Sequence, residues 1–146
     1  MYAPIRSLEM CGTRPRVKDA RRWASPSFAQ PLLNGGTLER PRVLEGETAA
    51  TMVRNHLPQW LTPPADAIDM KGYAQGYGSV TLVNSAPSKM PASPGTHRWC
   101  GHAGTHFWID PKRGLIAIVW GQLPAGCPHP VAAEFERMVH AAVTGR

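Results

Sequence analysis

From residue 77 onward the chain alternates apolar and polar positions with a period of two; upstream the only regular spacing is helical. Residues 78–84 read as a strand, 97–101 begin another, and 105–110 with 115–122 form a hairpin. The hairpin turn is Asp110-Pro111-Lys112-Arg113-Gly114, with proline at an early turn position and glycine where φ is positive. Its second arm, Leu115-Ile116-Ala117-Ile118-Val119-Trp120, is apolar at consecutive positions, which predicts burial on both faces of a sheet. Downstream, Pro130 suits a first helical turn. Val131, Phe135, Met138, Val139 and Ala142 follow at i, i+4, i+7, i+8 and i+11, one stripe expected to lie on the sheet.

Ahead of the strands the pattern is weaker. Residues 28–33 read as a short helical piece ended by Asn34-Gly35-Gly36, and Pro31 within it predicts a very short or distorted helix. Residues 47–55 form a second helix with Ala50, Val53 and Leu57 on one stripe, weakly started at Glu45-Gly46 and stopped by Pro58. A loop through Pro63-Pro64 and on to Ala74 separates it from the first strand. Residues 1–27 mix Arg, Pro, Gly and Ser without a period and read as a poorly ordered leader, with the domain spanning 28–146.

At 146 residues the chain has the length of one domain. Its longest apolar run, residues 115–120, is far below the roughly 20 residues that cross a bilayer, and no apolar region follows the N-terminal charges as in a signal peptide. A cytoplasmic location is the default expectation. The net charge of +6 raises the question of nucleic acid, but residues 1–22 hold six basic side chains against two acidic ones. Most of the excess thus sits in the aperiodic leader, and no nucleic-acid partner is expected. Three cysteines, Cys11, Cys100 and Cys127, with no Cys-x-x-Cys pair, give no disulfide framework, and Cys100 reads as a small buried hydrophobe.

The commonest enzyme signatures are absent: no Gly-x-Ser-x-Gly elbow, phosphate loop or dinucleotide fingerprint occurs. His97, Cys100, His102 and His106, with Cys127 and His129, invite a zinc reading, since alternate strand residues share a face; their spacing fits no standard zinc pattern, and neither metal nor cofactor is expected. Cys100 with His102 would make a nucleophile and base only with a group to orient the histidine. Trp99, Trp108 and Trp120 read foremost as core aromatics. Gly101 and Gly104 are read equally as strand glycines marking a bulge or as site residues.

Several segments in order carry a family resemblance: Leu32-Leu33-Asn34-Gly35-Gly36, Met52-Val53-Arg54-Asn55-His56-Leu57-Pro58, Gly76-Tyr77-Gly78, Trp99-Cys100-Gly101, and the run from Ala103-Gly104-Thr105 through Phe107-Trp108-Ile109-Asp110-Pro111 to Gln122. Over residues 28–143 the chain resembles the C-terminal part of serine β-lactamase-related hydrolases, the group of β-lactamases, penicillin-binding-protein-like hydrolases and β-lactamase-fold esterases. The resemblance implies an α+β, incomplete β-lactamase-like fold, with an antiparallel sheet of three to four strands, a packed C-terminal helix and short N-terminal helices. It implies that Trp99-Cys100-Gly101 stands for the family's third motif. Trp99 would then wall an acyl pocket, Gly101 would let substrate lie against the strand, and the His102 N–H would help bind an oxyanion. Cys100 replaces a glycine there and narrows the approach.

The family's nucleophile motif, Ser-x-x-Lys, is missing: none of Ser7, Ser25, Ser27, Ser79, Ser85, Ser88 and Ser93 has Lys three residues on. Tyr-x-Asn is missing too, and Tyr77-Gly78-Ser79 has the spelling of Tyr-x-Ser but falls on a later strand. The expectation is a truncated hydrolase, inactive alone, retaining an oxyanion and substrate-binding remnant of Trp99, Cys100, Gly101 and His102. The alternatives are a non-catalytic binding module on the same fold, or an ester hydrolase with an unconventional nucleophile such as Cys100 or Ser79. A small acyl ester or β-lactam-like compound is the expected ligand. Residues 115–120, left at an open sheet edge, are expected to pair with another chain.

Overall fold

Short elements with clear turn signals build this structure, a computed structural model that describes residues 20–39, 42–58, 72–85, 90–122 and 130–144, side chains from Ser27 on. Helices α1 (Ala20–Leu33) and α2 (Gly46–Val53) precede strands β1 (Tyr73–Gln75), β2 (Val80–Leu82), β3 (His97–Cys100), β4 (His106–Asp110) and β5 (Leu115–Val119), and α3 (Pro130–Thr144) follows. The strands form one antiparallel sheet in the order β1-β2-β3-β4-β5. The fold is α+β as expected, with five described strands where three to four were expected. The extra strand is β1, expected as loop because its three residues are too few to show a period.

The two helices before the sheet differ from expectation in detail. α1 starts eight residues before Phe28 and runs through Pro31. Ala29 and Pro31 are buried and α1 lies against β5 and β4, so packing outweighs the proline's unfavourable helix propensity. Asn34 N–H then donates to the Gln30 carbonyl at 2.9 Å and Gly36 N–H to that of Pro31 at 2.6 Å, closing the helix at the predicted Asn-Gly-Gly. α2 stops at Val53, and its buried residue is Ala49, one position from the predicted stripe; Ala50 is exposed and Leu57 lies beyond the helix. The helix end meets the β1–β2 turn closely. Tyr77 N–H donates to the Met52 carbonyl at 2.8 Å, and a Cβ on Gly76 would sit 2.5 Å from that oxygen, so this approach needs glycine.

The register defines two faces. Arg98 opposes Trp108 and Cys100 opposes His106, while Trp108 opposes Ala117 and His106 opposes Val119. Strand alternation therefore puts Arg98, Cys100, His106, Trp108, Asp110, Leu115, Ala117 and Val119 on one face, and His97, Trp99, Phe107, Ile109, Ile116 and Ile118 on the other. α3 covers the first face: Trp108 packs on Leu115 and Val139, with the Phe135 ring edge-on at 5.9 Å. α2 joins the second face, where the Thr81 hydroxyl donates to the Val53 carbonyl. Trp108 is the core aromatic the sequence suggests, but Trp99 and Trp120 are 40% and 56% exposed. Ile116 through Val119 are half-buried, short of the predicted two-sided burial, because β5 has a strand on one side alone among the described residues.

α3 presents only part of the predicted face: Phe135 and Val139 pack on Trp108, but the helix is rotated away from Val131 and Met138. Ala132, Glu136, Val139 and His140 are its buried residues, at i, i+4, i+7 and i+8, whereas Val131 and Met138 are more than half exposed. The sheet explains the rotation. Glu136 is fully buried, with Oε2 3.4 Å from Arg98 Nη1 and 3.4 Å from His106 Nε2. Arg98 also donates to the Tyr73 hydroxyl at 3.3 Å and lies over its ring. An apolar stripe centred on Val131 and Met138 would leave the Arg98 charge buried and unmatched.

Asp110 has a comparable role at the β4–β5 turn. Its carboxylate is fully buried and accepts from the Arg113 backbone N–H at 3.1 Å and from Arg113 Nη1 at 2.6 Å, while Nη1 also donates to Ser93. Gly114 takes the predicted positive φ. Burial pushes this carboxyl up, but the hydrogen bonds from Arg113 and Ser93 and the Arg113 charge outweigh it and hold Asp110 below the usual carboxylate range. Burial holds His97 and His140 below the usual imidazole range, against the pull of the Gly95 carbonyl on His97 and of Glu136 on His140.

Two predictions follow from these groups. Glu136→Ala strands Arg98 in the core and should destabilise by about 3–5 kcal/mol in urea unfolding, whereas Arg98→Met with Glu136→Leu should recover most of that loss. The buried histidines set a pH dependence. The unfolded chain takes up their protons near pH 6.5, the folded chain only at lower pH, so their stability contribution is present above about pH 6.5 and declines below it. Asp110 contributes above about pH 3.9 and is lost as pH falls through its lower folded value. The urea midpoint should therefore drop between pH 7 and 5.5, less steeply in His140→Gln, and drop again below pH 4.

Candidate functional site

The end of β3 emerges from the sheet between two differently built faces. Arg98 and Cys100 point to the α3 side, where Arg98 is held by Glu136, so Trp99 between them must point to the other side. It stands opposite Phe107 and keeps 40% of its surface exposed. By the register of β2 and β3, Ser79 lies level with Trp99, one residue before β2 begins. Beside it in sequence, Tyr77 is exposed and its ring stacks on His56, 3.9 Å between centroids and 10° from parallel. Tyr77-Gly78-Ser79 thus forms the β1–β2 turn. Ser79 itself is 5% exposed, and its carbonyl accepts from Gly76 N–H at 2.8 Å.

After Cys100 the chain turns through residues 101–105 into β4. Gly101 N–H donates to the Thr105 carbonyl at 2.7 Å and Gly104 N–H to the Gly101 carbonyl at 3.0 Å. Gly104 has φ +82, and Gly121 is pressed against it: a Cβ on Gly121 would lie 2.7 Å from the Gly104 oxygen. Thr105 Oγ1 donates to the Gly121 carbonyl at 3.4 Å. The turn therefore rests on the backbone just past β5. Gly104 is a turn glycine favoured by its positive φ, and Gly121 is the glycine that the close contact requires. Gly101 is under neither demand: a Cβ there would meet Thr105 at ordinary distances of 3.8 and 3.9 Å.

This leaves a specific arrangement of donors. The Gly101 N–H is consumed within the turn, while His102, exposed at its tip, makes no hydrogen bond through its N–H to the described residues. Trp99, Gly101 and His102 thus lie within four consecutive residues at one end of the sheet, with an exposed aromatic ring and a backbone donor that has no partner among the described residues. Cys100 differs from its sequence reading. Half-buried against the cluster of Tyr73, Val80, Leu82 and Ala92, it is disulfide-bonded. The chain's other cysteines, Cys11 and Cys127, lie outside the described residues. Without a Cys-x-x-Cys pair, nothing in the sequence spacing reveals that bond.

The remaining candidates do not converge. His97 and His106 fall on opposite faces of the sheet, and His102 sits on the turn, so they do not form one ligand set; no group of His, Cys, Asp and Glu among the described residues has metal-holding geometry. Cys127 and His129 lie outside the described residues. The buried cluster of His106, Glu136 and His140 includes the Arg98 guanidinium on the same carboxylate, which disfavours a cation there. The sequence misses this cluster because Glu and His count as polar in a hydrophobic pattern. No described helix is long and apolar enough to cross a membrane.

No family profile matches the sequence. No curated protein matches it either. Solved structures do share its fold. EstCE1, a hydrolase with promiscuous acyltransferase activity, superposes with a TM-score of 0.63 at 19% identity over 77% of this chain and 28% of that one. Simvastatin synthase (LovD) from Aspergillus terreus gives 0.60 at 20% identity, over 79% of this chain and 32% of that one. A protein of Bacteroides dorei described as a β-lactamase gives 0.55 at 16% identity, over 81% and 37%. The chain thus spans about a third of the length of the solved proteins it matches. With a five-stranded antiparallel sheet covered by helices and matched by these structures, the chain has part of the β-lactamase-related fold.

Proposed function

We propose that this chain is the C-terminal portion of a β-lactamase-related acyl hydrolase, holding the substrate strand and one oxyanion donor and inactive by itself. The observation that carries the reading is a His102 N–H that no described residue bonds, near an exposed Trp99 and next to a Gly101 that packing among the described residues does not require. A glycine unconstrained by its neighbours leaves room for a ligand along the strand. In this reading Trp99 walls the acyl group of a small ester or β-lactam-like compound, and the His102 N–H receives its carbonyl oxygen. EstCE1, by its description a hydrolase with promiscuous acyltransferase activity, is in keeping with that ligand class.

An attacking group is what the chain lacks. Ser-x-x-Lys and Tyr-x-Asn occur nowhere in it. The unconventional candidates fare poorly on geometry: Cys100 has its sulfur in a disulfide, and Ser79 is buried with no His or Lys hydrogen-bonded to it among the described residues. A thiolate, not a disulfide, is the nucleophilic form of cysteine.

Two measurements test the reading. The purified 146-residue chain should show saturable quenching of tryptophan fluorescence by a chromogenic acyl ester or a β-lactam, lost in Trp99→Ala, without turnover above background. Multiple turnover together with stoichiometric fluorophosphonate labelling of one residue would overturn it. The cysteine part is checked separately. Iodoacetamide should leave Cys100 unmodified until a reductant is added, and a non-reduced peptide map should link Cys100 to Cys11 or Cys127; free Cys100 in the native protein would reopen the thiol nucleophile.

A further inference from the structure

Cys100 of β3 and His106 of β4 are register partners on the α3 side of the sheet. One residue along, Gly101 N–H donates to the Thr105 carbonyl, which makes Gly101 and Thr105 the hydrogen-bonded pair. Cys100 and His106 therefore form a non-hydrogen-bonded pair, in which Cα atoms stand about 4.5 Å apart and the side chains lie closest. His106 is 2% exposed, with Nε2 3.4 Å from Glu136 Oε2, and its Nδ1 has no hydrogen-bond partner among the described residues. A carboxylate thus orients an imidazole whose other nitrogen is unused, beside a cysteine. The other groups around that carboxylate are Arg98, 3.4 Å from Oε2, and His140, 3.9 Å from Oε1, with the Tyr73 hydroxyl accepting from Arg98. Asp110 and Arg113 pair with each other at the far end of β4. Arg98 offsets the Glu136 charge, so a proton on His106 would face a thiolate at Cys100 with no net negative charge behind it.

Reactive thiols share this setting: partial exposure, a nearby guanidinium, and an imidazole oriented by a third group. Cys100 is half-buried and its sulfur is in a disulfide. In thiol–disulfide exchange, the sulfur that best holds negative charge leaves fastest. We propose that the Cys100 disulfide is a redox centre for dithiol reductants, in which Cys100 is the leaving thiolate and His106, oriented by Glu136, holds the proton beside it. The reductant's thiolate attacks the sulfur bonded to Cys100, the S–S bond breaks, and its electron pair leaves on Cys100. The reductant's second thiol then resolves the mixed disulfide. The reductant ends as its own disulfide, and the chain gains two electrons and two protons, one proton on His106 and one on the sulfur of the second cysteine. This centre faces α3, whereas Trp99 points to the other side, so it is separate from the acyl site proposed above.

The experiment reduces the full chain with dithiothreitol, removes the reductant, and follows iodoacetamide labelling of Cys100 by peptide mapping as pH is varied. Labelling should reach half its maximal rate below about pH 7.5, against about 8.5 for an ordinary cysteine. A midpoint at or above about pH 7.5 overturns the proposal. His106→Gln should raise the midpoint by about one pH unit and slow dithiothreitol reduction of the oxidised chain about threefold at pH 7. Urea unfolding establishes that the variant is folded, and an unchanged midpoint in the folded variant also overturns the proposal. The wild-type midpoint decides independently of whether the variant folds.

Discussion

A carboxylate with no solvent exposure requires a cation, and Glu136 finds Arg98 across the interface between α3 and the sheet. The pair does more than neutralise charge. Glu136 lies on the helix that covers the sheet, and Arg98 immediately precedes Trp99, so the contact fixes where β3 sits beneath α3. Charges removed from water are held to a narrow geometry, since any displacement loses attraction that water would otherwise have supplied. His106 joins the same oxygen, and it opposes Cys100 in the ladder. Both inward residues of the β3 end are therefore anchored, Arg98 by an ion pair and Cys100 by a covalent bond.

Anchoring on one face determines what the other face offers. Because successive strand residues alternate, fixing Arg98 and Cys100 inward sends Trp99 outward and delivers the chain into the 101–105 turn at a set height. There the hydrogen bonds of Gly101 and Gly104 and the contact with Gly121 set the turn in which no described residue bonds the His102 N–H. The helix side of the molecule supplies rigidity and the other side supplies exposed chemistry. A backbone donor held this way needs little reorganisation to meet a developing negative charge, the condition under which such donors are most effective.

Much of this was legible in the residues, and the parts that were not share a physical cause. Asp110-Pro111-Lys112-Arg113-Gly114 announced its turn because each residue meets a local backbone requirement. The order of segments around Trp99-Cys100-Gly101 pointed to the fold. α3 was legible as a helix but not in its orientation: a stripe counted by hydrophobicity omits Glu136 and His140, which are buried because the sheet presents Arg98 to them. Trp99 and Trp120 looked like core on composition, yet their exposure depends on which strand ends lack a neighbour, a non-local property. The bond at Cys100 was invisible for the same reason. Ala49 buried instead of Ala50 shows how a one-residue shift in an eight-residue helix defeats a short pattern.

An oxyanion donor without a nucleophile is a weak catalyst by magnitude alone. One such hydrogen bond lowers a barrier by about 3–4 kcal/mol, against the roughly 8–23 kcal/mol that separates enzymes from uncatalysed reactions. The balance comes from positioned attack and proton transfer, and among the described residues near Trp99 neither has a carrier: Ser79 is buried and Cys100 is bonded. Strengthening the donor cannot close a gap of that size, because hydrogen bonding to the acyl oxygen also stabilises the bound ester before reaction. What the described residues show is geometry: a strand end held from behind by α3, with an exposed Trp99 and a His102 N–H that none of them bonds. Such geometry gains chemical consequence when an attacking group is set within reach of it.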